Sequence, residues 1–252
     1  MEFDCDISTV SSIWLGKLIE KIEVFKYNNS ARAELSENQA RIVLAKLNGR
    51  SNLKKLEIFH NNNLSLMKPN QLATALTSLT ELTLGEIPPE DNILTFFLPV
   101  FQKLTSDTYD GIFYNIYKNS NLEVLNLPGN DLSGVNPHLF GSAISKVISA
   151  NLTDTGLAGV ALRNLLEKLR GDSSVLRSLD LSHNTAGLGL TKSDILAEAV
   201  ISLHCVSLKM NTLSEVQVCS IFSAMATSRS AWSTGGLRFT APNHAIATHQ
   251  KA

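Results

Sequence analysis

One spacing returns along this chain and limits what it can fold into. Apolar residues stand at positions 1, 4 and 6 of a short unit, Asn often at 9, and an apolar residue at 11. Leu122, Leu125, Leu127, Asn130 and Leu132 fill every position, as do Leu203, Val206, Leu208, Asn211 and Leu213. Leu176, Leu179, Leu181 and Asn184 fit, with Ala186 in the closing place. Leu53, Leu56, Ile58 and Asn61 fit, with the closing Leu delayed to Leu64. Val147, Ala150, Leu152, Thr155 and Leu157 carry Thr for Asn, and Leu79, Leu82 and Leu84 lead to Ile87. Ile19, Ile22 and Val24 read as a degraded first copy, and Leu237 as a decaying last one.

Positions 4 and 6 alternate along a short strand, so both point to one face. Position 9 turns the chain out of the strand, and an Asn there satisfies backbone groups that the ladder leaves unpaired. Between these strands, apolar residues recur at three- and four-residue steps, which marks helices. The longer ones cover Ser36–Leu47, Ala158–Leu169 and Ser214–Met225; the shorter cover Asn70–Leu76, His138–Ile144 and Ser193–Val200. Ser36 and Ser214 read as N-caps, and Pro69 and Pro137 suit a first helical turn. A unit of this size cannot bury its apolar face alone, so the units must stack into one continuous core. The fold class that follows is α/β, a solenoid of strand–helix units.

Composition narrows the function. Hydrophobic residues make up 44% of the 252, enough for a sizeable core. The formal charge of −1 gives no global pull on nucleic acid or anionic membranes, so neither is expected as a partner. Three cysteines, Cys5, Cys205 and Cys219, form an odd set without metal-ligand spacing, which favours a reducing, cytoplasmic setting over a disulfide framework. The acidic start Glu2, Asp4, Asp6 lacks a signal-peptide pattern. The sequons at Asn28, Asn63 and Asn151 read as chance matches.

Long and short units alternate along the repeat, position 9 is of the Asn type, and the intervening segments are helical. In these respects residues 19–240 resemble the ribonuclease-inhibitor-like class of leucine-rich-repeat proteins. The resemblance implies a horseshoe of seven or eight repeats, with parallel strands on the concave face, helices on the convex face, and a protein partner bound on the concave side. The expected division is an N-terminal cap over 1–18, repeats over 19–236 and a degraded repeat or tail over 237–252. The long step from Leu79 to Leu122 places an insertion near 106–120, rich in Tyr109, Tyr114 and Tyr117.

No catalytic or cofactor motif stands out. The six histidines show no metal-binding spacing, and no G-x-S-x-G, P-loop or dinucleotide fingerprint occurs. No metal, cofactor or enzymatic activity is therefore expected. Concave strand positions are the candidates instead. With the first copy starting at Ile19, Glu23 stacks over Glu57 and Phe25 over Phe59, flanked by Lys21, Lys55 and His60. Exposed aromatics within a charged rim are typical of binding hot spots. These seven residues form the expected site of a non-catalytic interaction module, such as the recognition part of an intracellular regulator. Two alternatives on the same fold are a direct enzyme inhibitor, which would want heavier charge, and a GTPase-activating protein, which would want a prominent arginine.

Overall fold

The computed structural model describes residues 2–3, 10–27, 36–47, 52–59, 64, 79–85, 104–119, 121–171, 173–227 and 237–239. The strands are β1 (Glu2–Phe3), β2 (Val24–Tyr27), β3 (Lys55–Phe59), β4 (Glu81–Gly85), β5 (Val124–Asn126), β6 (Ser149–Asn151), β7 (Ser178–Asp180), β8 (Cys205–Leu208) and β9 (Leu237–Phe239). They form one parallel sheet in chain order. The helices between them are α1 (Ser12–Ile19), α2 (Glu37–Leu47), α3 (Ser106–Asn119), α4 (Pro137–Ile144), α5 (Gly159–Leu169), α6 (Thr185–Leu188), α7 (Ser193–Ile201) and α8 (Glu215–Thr227). In this row α1 packs on α2, α3 on α4, α4 on α5, α5 on α7 and α7 on α8. The molecule is thus an α/β stack of repeated strand–helix units, the arrangement of a solenoid.

The repeat spacing accounts for the core. Leu56, Leu82, Leu125 and Leu179 stand in register at position 4, and with Leu84, Leu127, Leu152, Leu181 and Leu208 at position 6 all are buried. The backbone repeats with the side chains. The Lys54 carbonyl accepts from Thr80 and Glu81 N–H, that of Thr80 from Glu123 and Val124, and that of Ile148 from Arg177 and Ser178.

Position 9 locks each strand exit to its neighbour. Asn130 Nδ2 donates to the Leu84 carbonyl at 2.7 Å, Asn184 Nδ2 to that of Leu152 at 2.8 Å, and Asn211 Nδ2 to that of Leu181 at 2.9 Å. Asn184 Oδ1 also accepts the N–H groups of Thr155 and Leu157, both at 3.1 Å. One side chain therefore satisfies donors and acceptors of the preceding repeat that no strand reaches. Position 8, just before, takes a left-handed backbone in each of four repeats: φ is 73° at Gly129, 54° at Asp154, 62° at His183 and 55° at Met210.

Two helices start with the same device. Ser36 N–H donates to Gln39 Oε1 at 2.8 Å while Gln39 N–H donates to Ser36 Oγ at 3.3 Å; Ser214 and Gln217 repeat this at 2.9 and 3.3 Å. This is a capping box, in which two orphan donors are satisfied reciprocally. Both glutamines also reach the preceding unit: Gln39 Nε2 donates to the Val10 carbonyl, and Gln217 Nε2 to those of Leu188 and Thr191. The predicted caps Ser36 and Ser214 are therefore caps and ties between repeats at once.

Two expectations change. The first copy does not start at Ile19. Phe25 pairs with Leu56 and Tyr27 with Ile58, and the Glu23 carbonyl accepts from Lys54 and Lys55 N–H as position 2 does elsewhere. The copy is Ile22, Phe25, Tyr27, three residues later, because Ile19 is committed to the buried side of α1. The segment near 106–120 is not a projecting insertion. It is helix α3 of the row, with Tyr109, Ile112, Phe113 and Ile116 buried and Phe113 edge-on to Phe140. Beyond Asn184 the short helix α6 brings Leu188 into the core, where it is fully buried. The predicted helix at Asn70–Leu76, Asn61, Ile87 and the tail beyond Phe239 lie outside the described residues.

Candidate functional site

One face of the sheet is covered by helices, and the other carries the side chains of positions 3 and 5. With the corrected first repeat, position 5 reads Lys26, Glu57, Thr83, Asn126, Asn151, Asp180 and Ser207 from β2 to β8. Position 3 reads Val24, Lys55, Glu81, Val124, Ser149, Ser178 and Cys205 in the same order.

The β2–β4 end is charged. Lys26 Nζ lies 3.3 Å from Glu57, Lys55 Nζ lies 3.0 Å from Glu57, and Lys55 Nζ lies 2.7 Å from Glu81. Signs alternate, so the chain of ions neutralises itself. Glu57 is its most enclosed member, its side chain 17% exposed, against 29% for Lys55. Hydrogen bonds to Glu81 and then Glu57 hold the Lys55 amine above its ordinary value, outweighing partial burial, which pulls it down.

The β5–β8 end is polar and mostly uncharged. Asn126 Nδ2 donates to Thr83 Oγ1 at 3.0 Å. Asn151 Oδ1 accepts the Thr153 N–H at 3.0 Å, and Asp180 Oδ1 accepts the Ser182 N–H at 2.8 Å. Ser182 and Ser207 hydroxyls pair at 2.8 Å. These bonds fix the side chains in place before any partner arrives, which lowers the ordering cost of binding. Cys205 lies at position 3 of β8, partly buried and outside any disulfide.

Of the residues expected to form the site, the structure brings together Lys55 and Glu57 only. Phe25 is 0% exposed and belongs to the core, so it is not a binding aromatic. Glu23 sits before β2 and pairs with Lys54 at 3.5 Å, away from the Glu57 column. Lys21 is exposed in the turn after α1. Phe59 ends β3 opposite Gly85, its side chain outside the described residues together with His60. The expected site does not include Lys26 and Glu81, which complete the ion chain, or Asn126, Asn151 and Asp180, which extend the face. The signal for Asn126, Asn151 and Asp180 is the position-5 column read along all repeats, and for Glu81 the position-3 column beside Lys55, whereas Lys26 enters position 5 only in the corrected phase.

Among the described residues no group of three His, Cys, Asp or Glu side chains is placed to hold a metal ion, and no helix is long and apolar enough to cross a membrane. His138 Nδ1 instead meets Asn164 Nδ2 at 3.3 Å on the helix side. No protein-family profile matches the chain, and no curated protein matches it.

Proposed function

We propose that this chain is a leucine-rich-repeat protein whose open sheet face is the concave surface of a horseshoe and binds a protein partner, without catalysis. The observation that carries this reading is the row of position-5 side chains from Lys26 to Ser207, held by ion pairs and by hydrogen bonds to one another, to backbone N–H groups and to Ser182, and left uncovered by the helices. A preorganised, laterally extended polar face suits a broad macromolecular surface better than a small molecule, which wants an enclosed apolar pocket. Glu57, Glu81, Lys26 and Lys55 supply orientation at one end and Asp180 at the other, which favours specificity over raw affinity. Among the described residues Cys205 and Cys219 take part in no disulfide.

The test is a photo-crosslinking comparison in extract of the source cell. A benzophenone side chain at position 126 or 180 should trap one discrete protein band. The same group at Glu167, exposed on α5, should not. A band trapped from position 167 alone would reverse the reading.

A further inference from the structure

Every described helix step in the row is a helix laid on a helix, and the first of them, α1 on α2, is close. A Cβ at Gly16 would stand 2.7 Å from Ile42 Cγ2, so glycine is what lets the two backbones approach. Gly16 therefore marks the α2 side of α1. At 100° per residue Trp14 lies on the opposite side. Lys17 and Ile13 lie on the flank between, about 100° and about 60° from Gly16, Val10 and Lys21 border the two ends of the helix, and all five residues are exposed. Ile13 is 64% and Trp14 66% exposed, a large apolar surface for one short helix. Lys17 Nζ sits 4.8 Å from the Trp14 ring centroid, cation against π face.

Among the described residues no carboxylate pairs with the lysines of this face. Between Val10 and Lys55 the other described cations, Lys26, Arg41, Lys46, Lys54 and Lys55, each sit in an ion pair. Their partners are Glu20, Glu23 and Glu37, the described carboxylates of the same stretch, with Glu57 and Glu81 beyond it. Lys17 and Lys21 are in no ion pair among the described residues. Among the described residues, the cations of this stretch that sit in no ion pair are thus the two beside its most exposed aromatic ring.

We propose that the outer face of α1 docks an acidic, amphipathic helix of a partner protein, a second surface separate from the open sheet face. An apolar side chain of that helix covers Ile13 and Trp14, and its flanking carboxylates meet Lys17 and Lys21. Two observations favour a helix over a membrane surface. The face continues a row in which helix-on-helix packing is the established contact, and its apolar area is two large side chains and one valine, small for lipid insertion. Tryptophan is also among the residues enriched in protein hot spots.

The experiment uses the full chain and two variants, Trp14→Ala and the pair Lys17→Glu with Lys21→Glu. All three side chains are exposed, so both variants should melt with the wild type. A displayed library of 16-residue helical peptides, unbiased in charge, is panned against each. Binders enriched on the wild type should carry Glu or Asp three or four residues from Leu, Ile or Phe. As synthetic peptides they should bind at least tenfold more weakly to either variant and weaken as salt rises. Enrichment without acidic bias, or peptides that bind both variants as tightly as the wild type, would overturn the proposal. So would a library yielding no binder, or binding of wild type but not Trp14→Ala to phosphatidylserine–phosphatidylcholine vesicles with no peptide selected.

Discussion

The Tyr109 hydroxyl donates to Asn130 Oδ1 at 2.5 Å, tying helix α3 to the strand exit of the next repeat while both residues are buried. The same Asn130 donates to the Leu84 carbonyl. One amide thus joins the β4 strand, the β5 exit and α3. Tyr109→Phe should lower stability by about 1–2 kcal/mol, since a buried acceptor is left without its donor. Deleting residues 107–118 should abolish cooperative unfolding, because Ile112 and Phe113 leave with it. Denaturant titration of both variants checks this; a deletion variant with a native transition would return α3 to the status of an appendage.

Gln217 separates two roles that look alike in sequence. A capping box accepts Glu as readily as Gln at its third helical position. Here the Gln217 amide also donates to the Leu188 and Thr191 carbonyls at 2.8 and 2.6 Å. Gln217→Glu keeps the cap and loses both donors, placing a carboxylate against two carbonyl oxygens. It should cost more than Gln217→Ala, which itself should cost about 1–2 kcal/mol. Thermal melts of the two decide the order, and a Glu variant as stable as wild type would remove the tie between repeats.

The left-handed position 8 offers a gain. A left-handed L-residue is strained by roughly 1–2 kcal/mol, and glycine is not. Met210, exposed at φ 55°, makes the cleanest case. Met210→Gly should raise stability by about 0.5–1 kcal/mol, part of the strain relief being offset by a looser unfolded chain. Gly129→Ala should lower it by about 1 kcal/mol. Opposite signs from these two would contradict the shared backbone geometry.

The regular middle of the stack was legible in sequence and its first turn was not, for a definable reason. From Leu122 onward Asn130, Asn184 and Asn211 pin the register, because only one phase puts an amide at the strand exit. At the first copy Ile19, Ile22, Val24 and Ile22, Phe25, Tyr27 both satisfy the 1–4–6 spacing, and the aromatic pair invites a surface reading. What decides is that Ile19 already serves α1, a tertiary fact. The ion chain was half visible: Lys55 and Glu57 were singled out, but Lys26 joins them only in the corrected phase. Asp154, His183 and Met210 gave no hint of a left-handed backbone, because none of them is the glycine that marks it at Gly129.

Phe25→Ala is the direct consequence of that correction. It should cost about 3–5 kcal/mol by emptying a core position beside Leu56. A loss below about 1 kcal/mol would restore Phe25 to the surface.

The ion chain carries a pH signature. Lys55 has a folded pKa raised from 10.5, so its stabilisation is fully present below that value and is lost as pH rises through the folded one. Between about pH 9 and 12 the wild type should lose more stability than Lys55→Met, by less than about 1 kcal/mol given the partial exposure. Parallel pH–stability curves for the two proteins would leave Lys55 without a bound partner.

The central claim is that the uncovered sheet face meets the partner. It is tested by thiol footprinting of single-cysteine variants at Asn126, Asp180 and Arg163, with Cys5, Cys205 and Cys219 replaced. Once a partner has been trapped, it should slow labelling at positions 126 and 180 at least tenfold and leave position 163, exposed on α5, unchanged. Protection at position 163 with positions 126 and 180 still labelled at the free rate would contradict the account.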